Sequence, residues 1–399
     1  MALLSARVAR ARLTASAQAT QKVRELKAAG VDVVSLTQGE PDFATPTHII
    51  EAALAAARAG QTHYTPVDGT PELKAAIAEK FRRDNGIDCS AANISVGAGG
   101  KQVLFNALMA TLDAGDEVLI PAPSWIAYAD ITLFCEGVPR WIATRPEDGF
   151  KLTPDALAQA ITPRCKWLIL NSPSNPTGAV YDRTELAALA AVLERHPSLH
   201  IISDDIYEHI LYDGRVHASL AAVAPQLADR ILTVNGASKA YAMTGWRLGY
   251  ACGPVELIRA MARMQGQSTL NPSSVSQAAA LAALTGPQDI VRQRCTELQA
   301  RRDALMPRLR AIPGLVPSEP HGAFYVYVGC AGWLGKTTPK GRVLATDADV
   351  IDHLLESGVA VPGGAGYGMS PYLRVSFATS MATIEEACVR IARAGAGLA

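Results

Sequence analysis

Short apolar runs alternate with longer helical patterns along most of this chain. Runs of four or five apolar residues are typical of strands buried on both faces of a sheet, and the segments between them begin with helix start signals such as Thr70-Pro71-Glu72 and Asp182. Parallel strands need helical crossovers, so the pattern predicts an α/β fold with a mostly parallel central sheet. We expect strands at Ile94–Val96, Glu117–Ile120, Arg140–Ala143, Trp167–Leu170, His200–Ser203, Ile231–Val234 and Leu248–Ala251.

The pattern changes after about Gly286. A long charged helix, two short strands and a terminal helix are expected there, at Asp289–Leu309, around Phe324–Val328, around Leu373–Phe377 and at the C-terminus. Separated helices and strands are typical of α+β domains. We therefore expect a large α/β domain over residues 48–286 and a smaller α+β domain formed by residues 1–47 and 287–399. The helix Ser273–Leu284 and the long helix after it would join the two domains.

Composition excludes several classes of protein. Lys+Arg and Asp+Glu both number 37, so the chain lacks the basic excess needed to bind nucleic acid. No apolar run approaches the roughly 18 residues of a membrane helix, and the first thirty residues lack the apolar stretch of a secretory signal, so we expect a cytoplasmic protein without a membrane partner.

The seven Cys are scattered without a C-x-x-C pair, and the sequence has no H-E-x-x-H motif. These two patterns predict free thiols and no metal site.

A glycine-rich turn stands between an expected strand and the helix after it. Its sequence is Gly97-Ala98-Gly99-Gly100-Lys101-Gln102. Free backbone N–H groups at a helix N-terminus bind phosphate well. Neither the Walker A nor the dinucleotide-binding pattern fits, because Gln102 stands where those motifs need Ser, Thr or Gly. Taken alone, the turn is explained equally well as a structural connection.

Polar side chains also follow three successive expected strands, at the carboxyl ends where open α/β sheets bind ligands. Asn175 comes after the first of these strands, Asp204 and Tyr207 after the second, and Lys239 and Arg247 after the third. Taken singly, each residue also has an ordinary structural explanation. The asparagine can stabilise a turn, the aspartate can cap a helix, the tyrosine ring can pack in the core, and the lysine or arginine can lie on the surface. A lysine in a pocket of small residues can, however, be desolvated, which favours the neutral amine that a Schiff base requires.

A phosphate-binding turn, an aromatic residue (Trp125), an amide, an acid with a phenol, a lysine and an arginine are together the parts of a pyridoxal 5′-phosphate site. In these parts the chain resembles the fold-type I, class I aminotransferases, and among them the bacterial aspartate aminotransferase subgroup that includes enzymes acting on prephenate. The resemblance runs from about Leu4 to the C-terminus. It rests on Gly39-Glu40-Pro41-Asp42-Phe43, Ser172-Pro173-Ser174-Asn175-Pro176-Thr177-Gly178, Ser238-Lys239, Gly245-Trp246-Arg247-Leu248-Gly249 and Tyr372-Leu373-Arg374-Val375-Ser376.

The resemblance implies a pyridoxal phosphate enzyme that moves the α-amino group of L-aspartate, or a related acidic amino acid, to 2-oxoglutarate by a ping-pong mechanism. Lys239 would form the Schiff base with the cofactor and shuttle the proton, and Asp204 would pair with the pyridine nitrogen. Tyr207 and Asn175 would bind the ring's phenolic oxygen, and Trp125 would stack on the ring.

The phosphate would be held by Arg247 with the amides of Gly99 and Gly100. Tyr64 resembles the tyrosine that reaches the phosphate of a neighbouring subunit, which implies a homodimer with shared active sites. A departure from many relatives is Gly236, which replaces a serine that touches the phosphate.

For the substrate, the resemblance assigns Arg374 to the α-carboxylate and the Gly39 backbone to the same group, with Trp125 and Asn175 lining the site. Many relatives bind the distal carboxylate with an arginine that residues 265–269 lack, and in the subgroup resembled a lysine at the place of Lys101 takes that role. Lys101 thus favours a dicarboxylic substrate. Arg12 falls near a lysine of the prephenate-active relatives.

Three alternatives remain open at this stage. On the same scaffold, the chain can be an aromatic, branched-chain or prephenate aminotransferase, or a β-eliminating lyase, because the cofactor residues do not separate these reactions. Only the pocket that binds the substrate side chain separates them. A non-catalytic ligand-sensing domain is the alternative from a different class, and it is expected to carry an appended DNA-binding domain.

Overall fold

The structure is a computed structural model that describes residues 3–5, 8–10, 21, 23–26 and 28–399. Arg12 lies outside the described residues, so its predicted role stays a prediction. The strands are β1 (Val34–Ser35), β2 (Ile94–Gly97), β3 (Glu117–Ala122), β4 (Val138–Ala143), β5 (Cys165–Asn171), β6 (His200–Asp204), β7 (Ile231–Gly236), β8 (Gly249–Cys252), β9 (Val316–Pro317), β10 (Tyr325–Gly329), β11 (Val359–Ala360) and β12 (Tyr372–Ser376).

The α-helices from Thr47 onward are α1 (Thr47–Arg58), α2 (Pro71–Lys80), α3 (Gly100–Thr111), α4 (Ala127–Phe134), α5 (Pro154–Ala160), α6 (Arg183–Glu194), α7 (Leu220–Val223), α8 (Val255–Gly266), α9 (Ser274–Thr285), α10 (Asp289–Arg310), α11 (Asp347–Glu356) and α12 (Met381–Ala396). The predicted start signals act as expected, since the side chains of Thr70 and Asp182 accept N-terminal backbone N–H groups of α2 and α6. In the part of the chain that the structure covers, no helix combines the length and apolar character needed to cross a membrane.

Seven strands form the central sheet in the order β2-β8-β7-β6-β5-β3-β4. Every pairing is parallel except the two made by β8, so the prediction of a mostly parallel sheet is confirmed. Side chains alternate between its faces: Leu168 and Leu170 pack with α6, whereas Trp167 and Ile169 pack with α3, α4 and α8. Apolar cover on both faces explains why the strands read as continuous apolar runs.

A second, antiparallel sheet follows the long helix α10 and has the order β12-β10-β9. It packs with α10, α11 and α12 around Phe324, Val326 and Val375, which are all buried. The two-residue strand β1, near the N-terminus, pairs in parallel with β11 of this later part. The N-terminal segment therefore shares its packing with the C-terminal part.

The segment from Gly39 to Thr45 connects these two parts of the molecule. Thr45 donates its hydroxyl to the Ala242 carbonyl at 2.9 Å and accepts the indole N–H of Trp246 at 3.0 Å. From the other side, Arg301 of α10 binds the Asp42 carboxylate at 2.7 Å. The segment is thereby held against the turn that carries Lys239.

A buried ionic cluster supports the turn after β6. Lys80 at the end of α2 forms an ion pair with Glu208, and both side chains are at most 3% exposed. Asn85 donates to Glu208 as well and accepts from Lys80 at 2.7 Å. Although burial raises the pKa of Glu208, the charges of Lys80 and His209 prevail and hold it well below its usual range.

Lys80→Met is expected to lower the free energy of unfolding by about 3–5 kcal/mol, because it leaves the Glu208 charge buried and unpaired. Urea unfolding monitored by circular dichroism measures the change. Arg82→Met is the matched control, since the Arg82–Glu79 pair is exposed and such pairs contribute little. Equal unfolding midpoints for the two variants would contradict this account.

Candidate active site

The carboxyl ends of the parallel strands open into a cleft of about 740 Å³. The strand register places Asn171 beside Asp204, and Asp204 beside Val234, so the turns after β5, β6 and β7 meet at one edge. Ten of the predicted site residues line this cleft: Gly39, Gly100, Lys101, Trp125, Asn175, Asp204, Tyr207, Lys239, Arg247 and Arg374.

The glycine-rich turn packs directly against Arg247. Gly99 has a φ of +89°, a conformation that favours glycine, and a Cβ there would lie 2.9 Å from the Arg247 Cζ, so Arg247 would have to shift. Arg247 donates to the Thr244 carbonyl at 2.9 Å and the Ala98 carbonyl at 3.3 Å. This holds a guanidinium beside the N-terminus of α3, where an anion is stabilised.

Two further glycines allow close packing at the start of β8. A Cβ at Gly249 would lie 2.7 Å from the Gly100 Cα, so strand β8 can approach the turn only with glycine there. At Gly236 a Cβ would lie 3.1 Å from the Leu248 carbonyl oxygen, closer than most side chains tolerate. The departure from the usual serine at Gly236 therefore fits the local packing.

Asp204 is a buried acid at the end of β6. Its Oδ2 accepts the Tyr128 hydroxyl at 2.6 Å, and its Oδ1 accepts the Ile206 N–H at 3.2 Å. Burial raises the pKa of Asp204 to about 6, an effect that the Tyr128 hydrogen bond opposes. Sequence reasoning missed Tyr128, although its place three residues after Trp125, in the following helix, was a usable signal.

Lys239 lies between the two parts of the molecule. Its Nζ donates to the Gly39 carbonyl at 2.5 Å, and the ring of Tyr207 is 5.9 Å away. Burial lowers the pKa of Lys239 to about 8, so a larger share of the amine is neutral near pH 7 than in an exposed lysine. The amine is thereby prepared for nucleophilic chemistry.

Arg374 is a buried guanidinium on β12, 1% exposed. It donates to the Asn175 side-chain oxygen at 3.2 Å and to the Thr37 carbonyl at 2.7 Å, while its Nε has no partner among the described residues. Its plane lies over Tyr325, with the guanidinium carbon 4.4 Å from the ring centroid. Tyr325 also meets the Tyr207 hydroxyl at 3.0 Å, a contact that no sequence pattern indicated.

Lys101 and Trp125 meet at the wall of the cleft. The Lys101 Nζ lies 4.9 Å from the Trp125 ring centroid, within range of a cation–π interaction. Burial, and then the charge of Arg247, lower the pKa of Lys101. A partly desolvated cation of this kind attracts an anion more strongly than an exposed one does.

Tyr64 is absent from the cleft. Its side chain is 87% exposed and borders a separate cavity with Thr62, Asn271 and Ser273. The structure thus does not bring it to the other site residues of the same chain, and its role at a neighbouring subunit stays a prediction.

The donor set suits pyridoxal 5′-phosphate, because the cleft offers an amine for the aldehyde, a buried carboxylate for the ring nitrogen, and an arginine with a helix N-terminus for the phosphate. Fold and site together define a fold-type I, pyridoxal phosphate-dependent transferase.

The chain belongs to the family described as aminotransferase class I and II, whose pattern matches residues 31–391. It is 53% identical over 399 residues to the aspartate/prephenate aminotransferase of Cereibacter sphaeroides, covering 100% of both chains. The crystal structure of the aspartate aminotransferase of Rhizobium meliloti is 50% identical, with a TM-score of 0.97 and 100% of both chains covered. The Thermus thermophilus aspartate aminotransferase with maleate is 44% identical, with a TM-score of 0.92 over 99% of this chain and 100% of that one.

The lowered pKa of Lys239 predicts how the cofactor-free protein takes up pyridoxal 5′-phosphate. Only the neutral amine bonds to an aldehyde, so we expect the uptake rate to rise with pH and level off above about 8. Stopped-flow absorbance measures the rate, and the same reaction with a free alkylamine corrects for titration of the cofactor. A rate that still rises through pH 10 would show that Lys239 is an ordinary lysine.

Proposed function

We propose that this enzyme transfers the α-amino group of L-aspartate to 2-oxoglutarate by a ping-pong mechanism. The observation that carries the proposal is the position of Lys239, which lines the same cleft as the buried acid Asp204 and the buried guanidinium of Arg374. Relatives named aspartate aminotransferase or aspartate/prephenate aminotransferase, 50–53% identical over most or all of the chain, support the choice of substrate.

The residues at the strand ends hold the cofactor in this proposal. Arg247 and the amides of Gly99 and Gly100 would bind its phosphate, and Asp204 would bind its ring nitrogen. Trp125 would pack on the face of the ring. When bound, pyridoxal phosphate supplies an electron sink for the charge left when the substrate α-carbon loses its proton.

Lys239 has two tasks in the proposed reaction. Its Nζ would hold the cofactor's aldehyde carbon, and as a free amine beside the substrate α-carbon it would accept the proton that this carbon loses. Tyr207, held by Tyr325 at 3.0 Å, and Asn175 would donate to the cofactor's phenolic oxygen. Burial raises the pKa of Tyr207 well above its usual range, so the phenol remains a donor at neutral pH.

Arg374 binds the substrate α-carboxylate in this scheme. Asn175 and Tyr325 orient its guanidinium, and a carboxylate would satisfy the unpartnered Nε. The segment from Gly39 to Thr45 would cover the same group from the N-terminal side and exclude water from the reacting carbon.

Lys101 selects a second carboxylate. It is the partly buried cation at the cleft wall beside Trp125, and the related Thermus thermophilus enzyme was solved with maleate, a dicarboxylate. We also propose prephenate as a second substrate, because the 53% identical relative is named an aspartate/prephenate aminotransferase. Arg12 would contribute to that second activity.

At the level of the whole molecule, we propose a large domain over residues 48–286 and a small domain of residues 1–47 and 287–399. We propose further that two copies form a homodimer in the cytoplasm. Exposure of the Tyr64 ring supports this assembly, since a tyrosine that is to reach a neighbouring site must be free of its own chain's core.

Lys239→Ala is expected to reduce transamination between aspartate and 2-oxoglutarate by at least about 10³-fold, because it removes both the cofactor bond and the proton carrier. A coupled assay for oxaloacetate measures the rate. Lys340→Ala is the control, since Lys340 is an exposed lysine paired with Glu356. Parental turnover in Lys239→Ala would overturn the central assignment.

Lys101→Ala is expected to lower kcat/KM for aspartate by about 10–100-fold, the effect of losing a hydrogen bond to a charged group, and to leave kcat/KM for phenylalanine nearly unchanged. Steady-state kinetics with each donor separate the two effects. Lys74→Ala, which breaks a pair with Asp68, controls for loss of a lysine outside the cleft. An equal decrease in kcat/KM for both amino donors would mean that Lys101 does not bind the carboxylate of the substrate side chain.

A further inference from the structure

Tyr128, a phenol outside the predicted site residues, contacts the acid of the cleft. The ring is 1% exposed, and its hydroxyl donates to Asp204 Oδ2 at 2.6 Å. We propose that Tyr128 is a positioning residue that keeps the Asp204 carboxylate ionised and aimed into the cleft at neutral pH. The proposal rests on the proposed function, in which Asp204 is the partner of the cofactor's ring nitrogen.

Asp204 needs such a donor because its surroundings disfavour its charge. Burial alone raises the pKa of Asp204, and Asp205 raises it further, whereas the hydrogen bond from Tyr128, the Ile206 N–H and the charge of Lys239 lower it. Tyr207 is buried and neutral, so it adds no charge. With its pKa at about 6, Asp204 is ionised at pH 7, but only about one pH unit separates its pKa from neutral pH.

Tyr128 is suited to keep Asp204 ionised. Burial, and then the adjacent Asp204 charge, raise its own pKa well above the usual range, so the phenol stays protonated and donates at every physiological pH. Loss of a hydrogen bond to a charged group corresponds to roughly one to two pKa units. Without Tyr128 the pKa of Asp204 would therefore move from below neutral pH to neutral pH or above.

The start of α4 fixes Tyr128 in place. Its backbone N–H donates to the Trp125 carbonyl at 3.1 Å, and its ring meets the Trp125 ring edge to face, with centroids 5.3 Å apart. The Trp125 ring in turn contacts Lys101. One helix start thus carries the ring-stacking residue and the partner of the ring-nitrogen acid, so their relative positions are fixed together.

Tyr128→Phe tests the proposal through the pH dependence of cofactor binding. The dissociation constant of pyridoxal 5′-phosphate is measured by absorbance from pH 5 to 9. In the parent enzyme it should rise as the pH falls, and this low-pH part of the curve is the acid limb. In Tyr128→Phe we expect this acid limb to lie about one pH unit higher, with affinities that converge at pH 9. Tyr181→Phe removes another buried hydroxyl, one that accepts the Leu152 N–H, and should leave the limb in place.

Two further variants separate the hydrogen bond from packing. 3-Fluorotyrosine introduced at position 128 keeps the shape of the ring and donates more strongly, so it should move the acid limb downward. In the Asp204→Asn background, Tyr128→Phe should shift nothing. An acid limb that coincides with that of the parent, or an equal loss of affinity at every pH, would overturn the proposal.

Infrared difference spectra provide the same comparison without the cofactor. The cofactor-free protein measured against its Asp204→Asn counterpart reports protonation of Asp204, and its midpoint should be about one pH unit higher in Tyr128→Phe. An unchanged midpoint would contradict the proposal. A shifted midpoint in a protein that fails to bind pyridoxal 5′-phosphate would uphold the Tyr128 contact and reject the proposed function.

Discussion

The parallel pairing of β5, β6 and β7 is the constraint on which the rest of the structure depends. Backbone hydrogen bonds fix the register that sets Asn171 beside Asp204, and all three strands end at the same edge. The turns that follow them carry Asn175, Asp204 and Lys239 into one cleft. A slip of one residue in this register would turn the Asp204 side chain to the opposite face of the sheet.

The same burial that makes the sheet stable sets the chemistry of its edge. Removal from water raises the pKa of Asp204 to about 6 and lowers that of Lys239 to about 8, so both groups titrate nearer to neutral pH than free side chains do. The lowered pKa increases the neutral share of the Lys239 amine, which is the form that acts as a base or nucleophile. Tyr128 and the Gly39 carbonyl then hold the two groups in defined orientations.

Close approach of backbone segments is the other requirement of the site. Gly99 gives the glycine-rich turn its positive φ of +89°, and Gly249 lets β8 approach that turn, since a methyl group at Gly249 would collide with the backbone of Gly99 and Gly100. The Gly39 segment is fastened on two sides, by Thr45 to the large sheet's turns and by Asp42 to α10. The cleft is therefore built from both parts of the molecule, as the motifs at either end of the sequence indicated.

By itself, the sequence determined the strands of the central sheet, the long helix α10 and ten residues that line the cleft. It could do so because apolar periodicity records burial locally, and because Lys239, Asp204 and Arg374 stand in motifs that the chain carries intact. Only the tertiary structure decided that Tyr128 binds Asp204, that Tyr325 supports both Tyr207 and Arg374, and that Tyr64 lies outside its own cleft. Tyr207 and Tyr325 are 118 residues apart, and such contacts depend on strand order and on the packing of separate sheets, which no local pattern encodes.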